Sequence, residues 1–458
     1  MVEGPTVKLS EIRKVLRTAT LAKEDAVVRG LVERVALDKN ARRAISRTAV
    51  ELIRSVRASA RIGKLAPFLA EYGLSTREGI ALMCLAEAML RVPDDYTIDE
   101  LIRDKIAPHD WSAHLGGSGS VLVNASTWAL MLTGQALSDS ADSIAGTLHA
   151  LTRRLGEPVI RQVIAAAIRE LGAEFILGRD ILEAINRGRS MVKRGYSYSF
   201  DMLGEAARTK ADALQYFDAY ADAIAAIAKT ADQSDIQNNL GISVKLSALH
   251  PRYEATQQEV MLPEMVARLL ALVKAAAAAG IGLNIDAEES DRLDLSLAVL
   301  ETVLSDSSLQ DWDGFGVVVQ AYGKRAPHVL DWLYTLAGVL NRRIMVRLVK
   351  GAYWDSEIKH AQVLGLRDYP VFARKAHTDV SYLACARQLL EMRDRIYPQF
   401  ATHNAHTAAA VLHMAGDDRN HFEFQRLHGM GEALHEELRT RSGTRCRIYA
   451  PVGAHRDL

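Results

Sequence analysis

The chain has 458 residues, 49% hydrophobic and 24% charged, the balance of a folded globular protein and more chain than one ordinary core needs. Lysine plus arginine and aspartate plus glutamate stand at 56 each, and the resulting net charge of zero argues against strong nonspecific nucleic-acid binding, leaving only a local basic patch. Cys84, Cys385 and Cys446 have no metal-type spacing, and no secretory signal or bilayer-length apolar run is visible; buried thiols and a cytoplasmic setting are the expectation.

Residues 1–65 are rich in Arg, Lys, Ala and Leu at helical spacing and predict a helical arm of one or two exposed helices, suited to packing on a partner. Residues 66–112 read as a small α domain. Ser75-Thr76-Arg77-Glu78 is a capping box opening an apolar helix through Leu90, and Thr97 with Glu100 repeats the pattern after Pro93. Gly116-Gly117-Ser118-Gly119-Ser120 marks a boundary, and 113–190 read as linker and helices leading into the last unit, 191–458.

From Tyr196 the texture changes to short β runs alternating with helices. Strands are predicted at 196–200, 242–246, 283–285, 316–320, 344–348, 400–403, 422–427 and 446–450. The clearest helix starts after Pro263, carries Met265, Val266, Leu269, Leu270 and Val273 on one stripe, and stops at Gly280. Eight strands separated by helices predict an α/β fold, a parallel (β/α)₈ barrel with right-handed crossovers. After the eighth strand the sequence gives only Pro451 to Leu458, with no helix to cover that strand. The expectation is a piece of a longer protein, a barrel lacking its last helix.

In such barrels the working residues lie at the C-terminal ends of the strands. Polar groups recur there: Lys245, Asp286 and Glu288, Gln320 and Tyr322, Arg347 and Lys350, Thr402, His403 and Asn404, Gln425 and His428, and Tyr449. Any one alone is more often a surface or network residue; their recurrence on seven strands predicts an active-site mouth. The segment 347–354 places Arg347, Lys350, Gly351, Tyr353 and Trp354 in one strand–loop junction. Cations neutralise phosphate, glycine permits close approach and aromatics stack, so the segment suits a planar, phosphate-bearing cofactor. No dinucleotide fingerprint or P-loop is present. His403, His406, His428, Asp286 and Glu288 offer donor atoms for a metal, but their spacing matches no metal motif, and no metal is expected.

The runs KLSALHPRY (245–253), NIDAEESDRL (284–293), RLVKGAYWDSE (347–357), YPQFATHNAHT (397–407), FQRLHGMGE (424–432) and CRIYAPVG (446–453) resemble the proline dehydrogenase domain of the proline utilization A family. DMLGEAA (201–207), EGIALMCLAEAMLR (78–91) and LIRDKIAPHDW (101–111) extend the resemblance over nearly the whole chain. The resemblance implies noncovalent FAD and oxidation of L-proline to Δ1-pyrroline-5-carboxylate, with a membrane quinone as acceptor and a peripheral position on the inner face of the membrane when reduced. It implies catalytic roles for Arg347, Lys245 and Asp286, Arg347 lying beside flavin N5. Lys245, Asp286, Tyr353, Tyr449 and Glu205 match the substrate pocket. Gln320, Arg347, Val349, Lys350, Gly351, Ala352, Trp354, Thr402, His403, Asn404 and Gln425 match the cofactor site.

The family's carboxylate-gripping arginine pair lies on the eighth helix, beyond Leu458, so Glu205 is expected without its ion-pair partner. The family's aldehyde dehydrogenase module is also absent from this sequence. The N-terminus does not resemble the family's ribbon-helix-helix, so no DNA partner is expected; a homodimer is allowed. Two rival readings stand: a Schiff-base aldolase using Lys245 or Lys350, and a barrel that keeps the fold without catalysis.

Overall fold

The computed structural model describes residues 5–59, 175–231 and 235–453. The chain divides into two units, Met1–Ser59 with Asp180–Val452, and Ala60–Arg179 with Gly453–Leu458. Nearly all described residues belong to the first. The small α domain, its capping boxes, the glycine-rich boundary and most of the linker lie outside the described residues.

The arm forms three helices rather than one or two: α1 (Pro5–Ala19), α2 (Glu24–Val35) and α3 (Lys39–Ser59). It docks on this chain's own barrel. Leu31 and Val35 of α2 are buried with Phe372 and Ala384, and Val27, Val28 and Leu37 pack around them. Arg13 pairs with Glu301 at 3.3 Å and lies over the Trp332 ring, while the wholly buried Lys324 donates to the Ala22 carbonyl at 2.8 Å. The exposed character expected for these helices came from their charge-rich sequence. Those charges are partly spent on the barrel's outer helices, which sequence alone does not locate.

The rest of the unit is a closed eight-stranded parallel barrel in sequential strand order. After α4 (Ile181–Lys193) the elements are β1 (Tyr196–Met202), α5 (Lys210–Ala228), β2 (Gly241–Val244), α6 (Leu246–Leu249), α7 (Gln258–Ala278), β3 (Leu283–Ile285), α8 (Leu293–Leu304) and β4 (Phe315–Gln320). They continue as α9 (Ala326–Val339), β5 (Ile344–Val349), α10 (Trp354–Val363), α11 (Lys375–Glu391), β6 (Ile396–Ala401), α12 (Ala405–Ala415), β7 (Glu423–Leu427), α13 (Glu432–Ser442) and β8 (Arg445–Val452). Closure comes from β1 pairing β8 in register from Tyr196↔Cys446 to Met202↔Val452.

Several boundaries differ from the sequence reading by one or two residues, and three differences have a physical reason. The sixth strand begins at Ile396, four residues before the expected start, with Pro398 paired to Val346 inside it. Proline lacks a ladder donor and counts against a central strand, which pushed the expected strand downstream. The second strand ends at Val244, so Lys245 caps the short α6 instead of closing a strand. Helix α7 starts at Gln258, ahead of Pro263, and of its expected stripe Met265, Leu269 and Val273 are buried, joined by Met261 and Leu272.

The strands alternate. Phe200, Ile242, Val244, Leu283, Ile285, Phe315, Ile344, Val346, Leu348, Phe400, Phe424 and Ile448 form the buried apolar set, while Ser199, Ser243, Asn284, Arg347, Gln399, Glu423, Gln425 and Arg447 are buried and polar. Asn284 of β3 donates to Gln399 of the non-adjacent β6 at 2.9 Å, and Arg347 of β5 reaches Ser199 of β1, so the polar set fills the barrel interior. Barrel interiors usually hold branched aliphatics in layers. Here Gly316 takes one interior place because a Cβ there would collide with the Asn284 amide.

Candidate active site

The interior polar residues nearest the strand C-termini converge. Lys245 Nζ lies 2.6 Å from Asp201 Oδ1, 3.6 Å from Asp286 Oδ2 and 3.8 Å from Glu205 Oε2. Arg347 Nη1 donates to Asp286 Oδ1 at 3.0 Å, and its two terminal nitrogens donate to the Ser199 and Ser243 hydroxyls at 3.1 Å. The Tyr449 hydroxyl donates to Asp286 Oδ2 at 2.8 Å, and its ring lies under the Arg347 guanidinium, 5.0 Å from centroid to Cζ. Four strands or their ends thus meet through one carboxylate, Asp286, and β1 joins through Asp201 and Ser199.

Two cations face two buried carboxylates, and this balance fixes the protonation states. Burial pulls the Lys245 ammonium down, but the Tyr449 phenol and the Asp201 and Asp286 carboxylates outweigh it and hold the group well above the usual lysine range. Burial lifts Asp201 above an ordinary aspartate, with Lys245 pulling back and Asp286 adding to the lift. Burial also raises Tyr449, so its phenol stays a donor. Glu205, on the loop after β1, is about half exposed and is raised by burial against the pull of Lys245.

The other expected residues form a second ring around this cluster, held by their own contacts. Gln320 bridges loops: its amide donates to the Glu288 carbonyl at 2.9 Å and its oxygen accepts from Ala352 N–H at 3.1 Å. Val349 pairs with Gln320 at the end of the β4–β5 ladder. Gly351 has φ +141°, and a Cβ there would strike the Tyr322 ring, so this position requires glycine. Lys350 is tied to Asp379 at 2.5 Å. Trp354 donates its indole N–H to the Phe372 carbonyl at 2.9 Å and is 42% exposed. Tyr353 precedes α10, where burial raises its phenol. His403 accepts from Leu427 N–H at 3.0 Å and is held neutral by burial and Arg426. Thr402 is buried, with its hydroxyl accepting from Asn404 N–H at 3.1 Å. Asn404 is the N-cap of α12, accepting from Thr407 N–H at 2.9 Å. Gln425 donates to Glu423 at 2.7 Å while its amide oxygen is buried without a partner.

The sequence reading missed Asp201, Ser199 and Ser243, which complete the cluster, and the network below it around Glu423 and Arg447. A signal was available. Fully buried parallel strands read as near-continuous apolar runs, whereas YSYSFD, ISVK, MVRLV and EFQRL alternate polar and apolar residues. Of the proposed metal donors, Asp286 is committed to Arg347 and Tyr449, and His403 to a backbone amide. Among the described residues no three His, Cys, Asp or Glu side chains are grouped to hold an ion.

Comparison with known proteins places this geometry in a family. A family model described as proline dehydrogenase matches residues 184–458, and one described as the DNA-binding domain of proline dehydrogenase matches 64–175. The expectation of no DNA partner thus meets a segment whose family is named for DNA binding, and that segment lies almost wholly outside the described residues. The bifunctional protein PutA of Salmonella typhimurium strain LT2 is 50% identical over 409 residues, 88% of this chain and 31% of that protein. PutA of Rhizobium meliloti is 49% identical over 460 residues, 99% of this chain and 37% of that protein. A solved structure, a point mutant of proline utilization A from Bradyrhizobium japonicum, superposes with a TM-score of 0.71 at 46% identity, covering 96% of this chain and 44% of that one. The chain spans about a third of the length of the curated PutA relatives it matches.

Proposed function

The chain belongs to the proline dehydrogenase family, and from that premise we propose that it holds FAD at the barrel mouth and oxidises L-proline to Δ1-pyrroline-5-carboxylate. The observation that carries the reading is the Lys245–Asp286–Arg347–Tyr449 cluster: two permanent cations at the strand ends, oriented by a shared carboxylate. A ligand with its own carboxylate needs such a charge, because an unpaired buried anion is strongly disfavoured.

The residues present fit a flavin. The Arg347 Nε and the Gln425 amide oxygen are buried and unpartnered, a donor and an acceptor suited to a ring that carries both kinds of group. The bare backbone at Gly351 allows close approach. Arg347, Lys350, Gly351, Ala352, Val349, Gln320, Trp354, Thr402, His403, Asn404 and Gln425 would surround it. Bound there, a flavin supplies the two-electron acceptor for the C–H bond beside the ring nitrogen.

The chain's own residues do the rest. Lys245 pairs with the proline carboxylate, and Asp286 holds Lys245 and Arg347 at a fixed separation. Arg347 offsets negative charge developing at the acceptor ring. Tyr353 and Tyr449 wall the pocket and exclude water, and Glu205 borders its exposed side. The Schiff-base alternative is disfavoured because Lys245 is held well above its usual range, protonated and not nucleophilic, and Lys350 is committed to Asp379.

The wider reading includes a membrane quinone as electron acceptor, an aldehyde dehydrogenase module elsewhere in a longer protein, a peripheral membrane position and a homodimer. Among the described residues no helix is long and apolar enough to cross a membrane. The balanced charge supports keeping DNA out of the proposal; a mobility shift with duplex DNA at physiological salt would reverse that.

The test is direct. The chain incubated with FAD is expected to show bound-flavin absorption that bleaches on anaerobic addition of L-proline. Failure to retain flavin would refute the cofactor assignment, and retained flavin that proline never bleaches would refute the substrate.

A further inference from the structure

The loop 203–207, which carries Glu205 beside Lys245, holds an unfavourable backbone. Ala206 has φ +52°, a left-handed conformation that costs a residue with a Cβ about 1 kcal/mol. Two hydrogen bonds from one residue hold it there: Ala206 N–H donates to the Ser247 hydroxyl at 3.0 Å, and Ala207 N–H to the Ser247 carbonyl at 2.9 Å. Ser247 is buried in α6, and its own N–H donates to Glu288 Oε2 at 3.1 Å. Neither Ser247 nor Glu288 has a part in the mechanism above.

We propose that Ser247 and Glu288 form a latch that fixes the 203–207 loop and so sets the position of Glu205 against Lys245, acting as positioning residues for substrate binding. The consequence for substrate rests on the proline reading; the latch itself does not. A charged Glu288 accepts from the Ser247 amide and so fixes the backbone of Ser247, whose hydroxyl and carbonyl oxygens accept from Ala206 and Ala207. A protonated Glu288 is a weaker acceptor for that amide, and Ser247 loses part of its anchor.

The latch should therefore respond to pH. Burial lifts Glu288 to about 7, with Ser247 and Arg292 opposing and Glu289 adding to the rise. The groups around it are Arg292 at 3.7 Å from the helical turn before α8, Glu289 beside it, and the phenols of Tyr253 and Tyr353. Both phenols are raised and stay uncharged near neutrality, where Glu288 changes charge.

Amide hydrogen exchange of residues 203–207 on this chain reads the latch without reference to catalysis. Corrected for intrinsic rate, Ala206 and Ala207 are expected to be about fivefold less protected at pH 6 than at pH 8, the worth of one hydrogen bond. Glu288→Gln should abolish that difference. Ser247→Ala should leave the loop unprotected at both pH values, and Ser247→Thr, which keeps the hydroxyl, should restore protection. In proline kinetics, Ser247→Ala should raise KM about fivefold with kcat within about twofold, because a loop that must be reordered on each binding event weakens apparent affinity. Protection that does not change with pH, or that titrates unchanged in Glu288→Gln, overturns the latch. Exchange as expected in a chain that never oxidises proline would leave the latch standing and remove only the substrate reading.

Discussion

At two levels of the barrel interior an arginine meets a carboxylate at almost the same distance: Arg447 Nε to Glu423 Oε1 at 2.8 Å, and Arg347 Nη1 to Asp286 Oδ1 at 3.0 Å. Their surroundings differ. Arg447 spends its N–H groups on Glu423 and on the carbonyls of Tyr198, Asn239 and Gln237, while Glu423 also accepts from Gln399 and Gln425. Around Asp286 the arginine keeps an unpartnered Nε, a second cation stands 3.6 Å away, and half-exposed Glu205 borders the cluster. The closed network fixes the shape of the barrel. The open one leaves a buried donor free, and the contrast separates a saturated ion pair from one with capacity left for a ligand.

Breaking the closed network should have the largest effect on folding. Glu423→Ala strands the buried Arg447 charge, and removing one partner of a buried pair costs about 3–5 kcal/mol. Urea unfolding followed by circular dichroism measures it. A loss under about 1 kcal/mol would mean that Arg447 is satisfied by the carbonyls alone, and that the two networks differ less than their geometry implies.

The matching substitution in the open network should be felt in activity. Arg347→Met leaves Asp286 with Lys245 and Tyr449 as partners, so stability should fall much less than in Glu423→Ala. With FAD bound, kcat/KM for proline is expected to drop about 100-fold, the usual cost of losing a donor aimed at developing charge, and the flavin potential should become more negative. Stopped-flow reduction and potentiometry check both. An unchanged potential would place Arg347 away from the flavin.

A smaller effect is expected where the open region carries a buried acid. Glu288 is lifted from 4.5 to about 7 by burial, so its contribution is full below the unfolded value and is lost as pH rises through 7. Glu288→Gln removes that loss at the expense of one hydrogen bond. The variant should be more stable than the parent by roughly 2 kcal/mol at pH 8 and equal or weaker near pH 4.5. Thermal unfolding across this range decides it; a variant less stable at pH 8 would show that the carboxylate is well compensated when charged.

The same contrast explains what the sequence made legible. Strand ends carry chemistry in this fold, so Lys245, Asp286, Arg347 and Tyr449 stood out as part of a recurrence on seven strands though not one by one, and the structure brings these four into one cluster. Asp201, Ser199 and Ser243 were missed because a serine or aspartate inside a β run reads as a solvent-facing position, when here every such position faces a filled barrel interior. Pro398 displaced the sixth strand for a local reason that the closed ladder overrides. The three docked helices of the arm were beyond reach, since Glu24 meeting His377 and Arg34 meeting Gln388 at 2.7 Å are contacts between segments more than 350 residues apart.

Asn404 tests the line between the two kinds of residue at its finest. The family resemblance assigns it to the cofactor site, yet its side-chain oxygen accepts from Thr407 N–H at 2.9 Å and Thr407 Oγ1 at 3.3 Å, the contacts of an N-cap opening α12. A capping oxygen turned into its own helix is not free to accept from a ligand, although its amide N–H₂ is. If the cap is its whole role, Asn404→Ala should cost about 1 kcal/mol of stability and leave FAD affinity within about twofold. Asn404→Asp keeps the capping oxygen, removes the amide donor and adds charge at a helix N-terminus, so it should recover stability. Paired measurements of thermal unfolding and FAD titration on both variants separate the roles. Should Asn404→Asp fold as well as the parent but bind FAD at least tenfold more weakly, the amide is a cofactor contact, and Asn404 belongs with the open network.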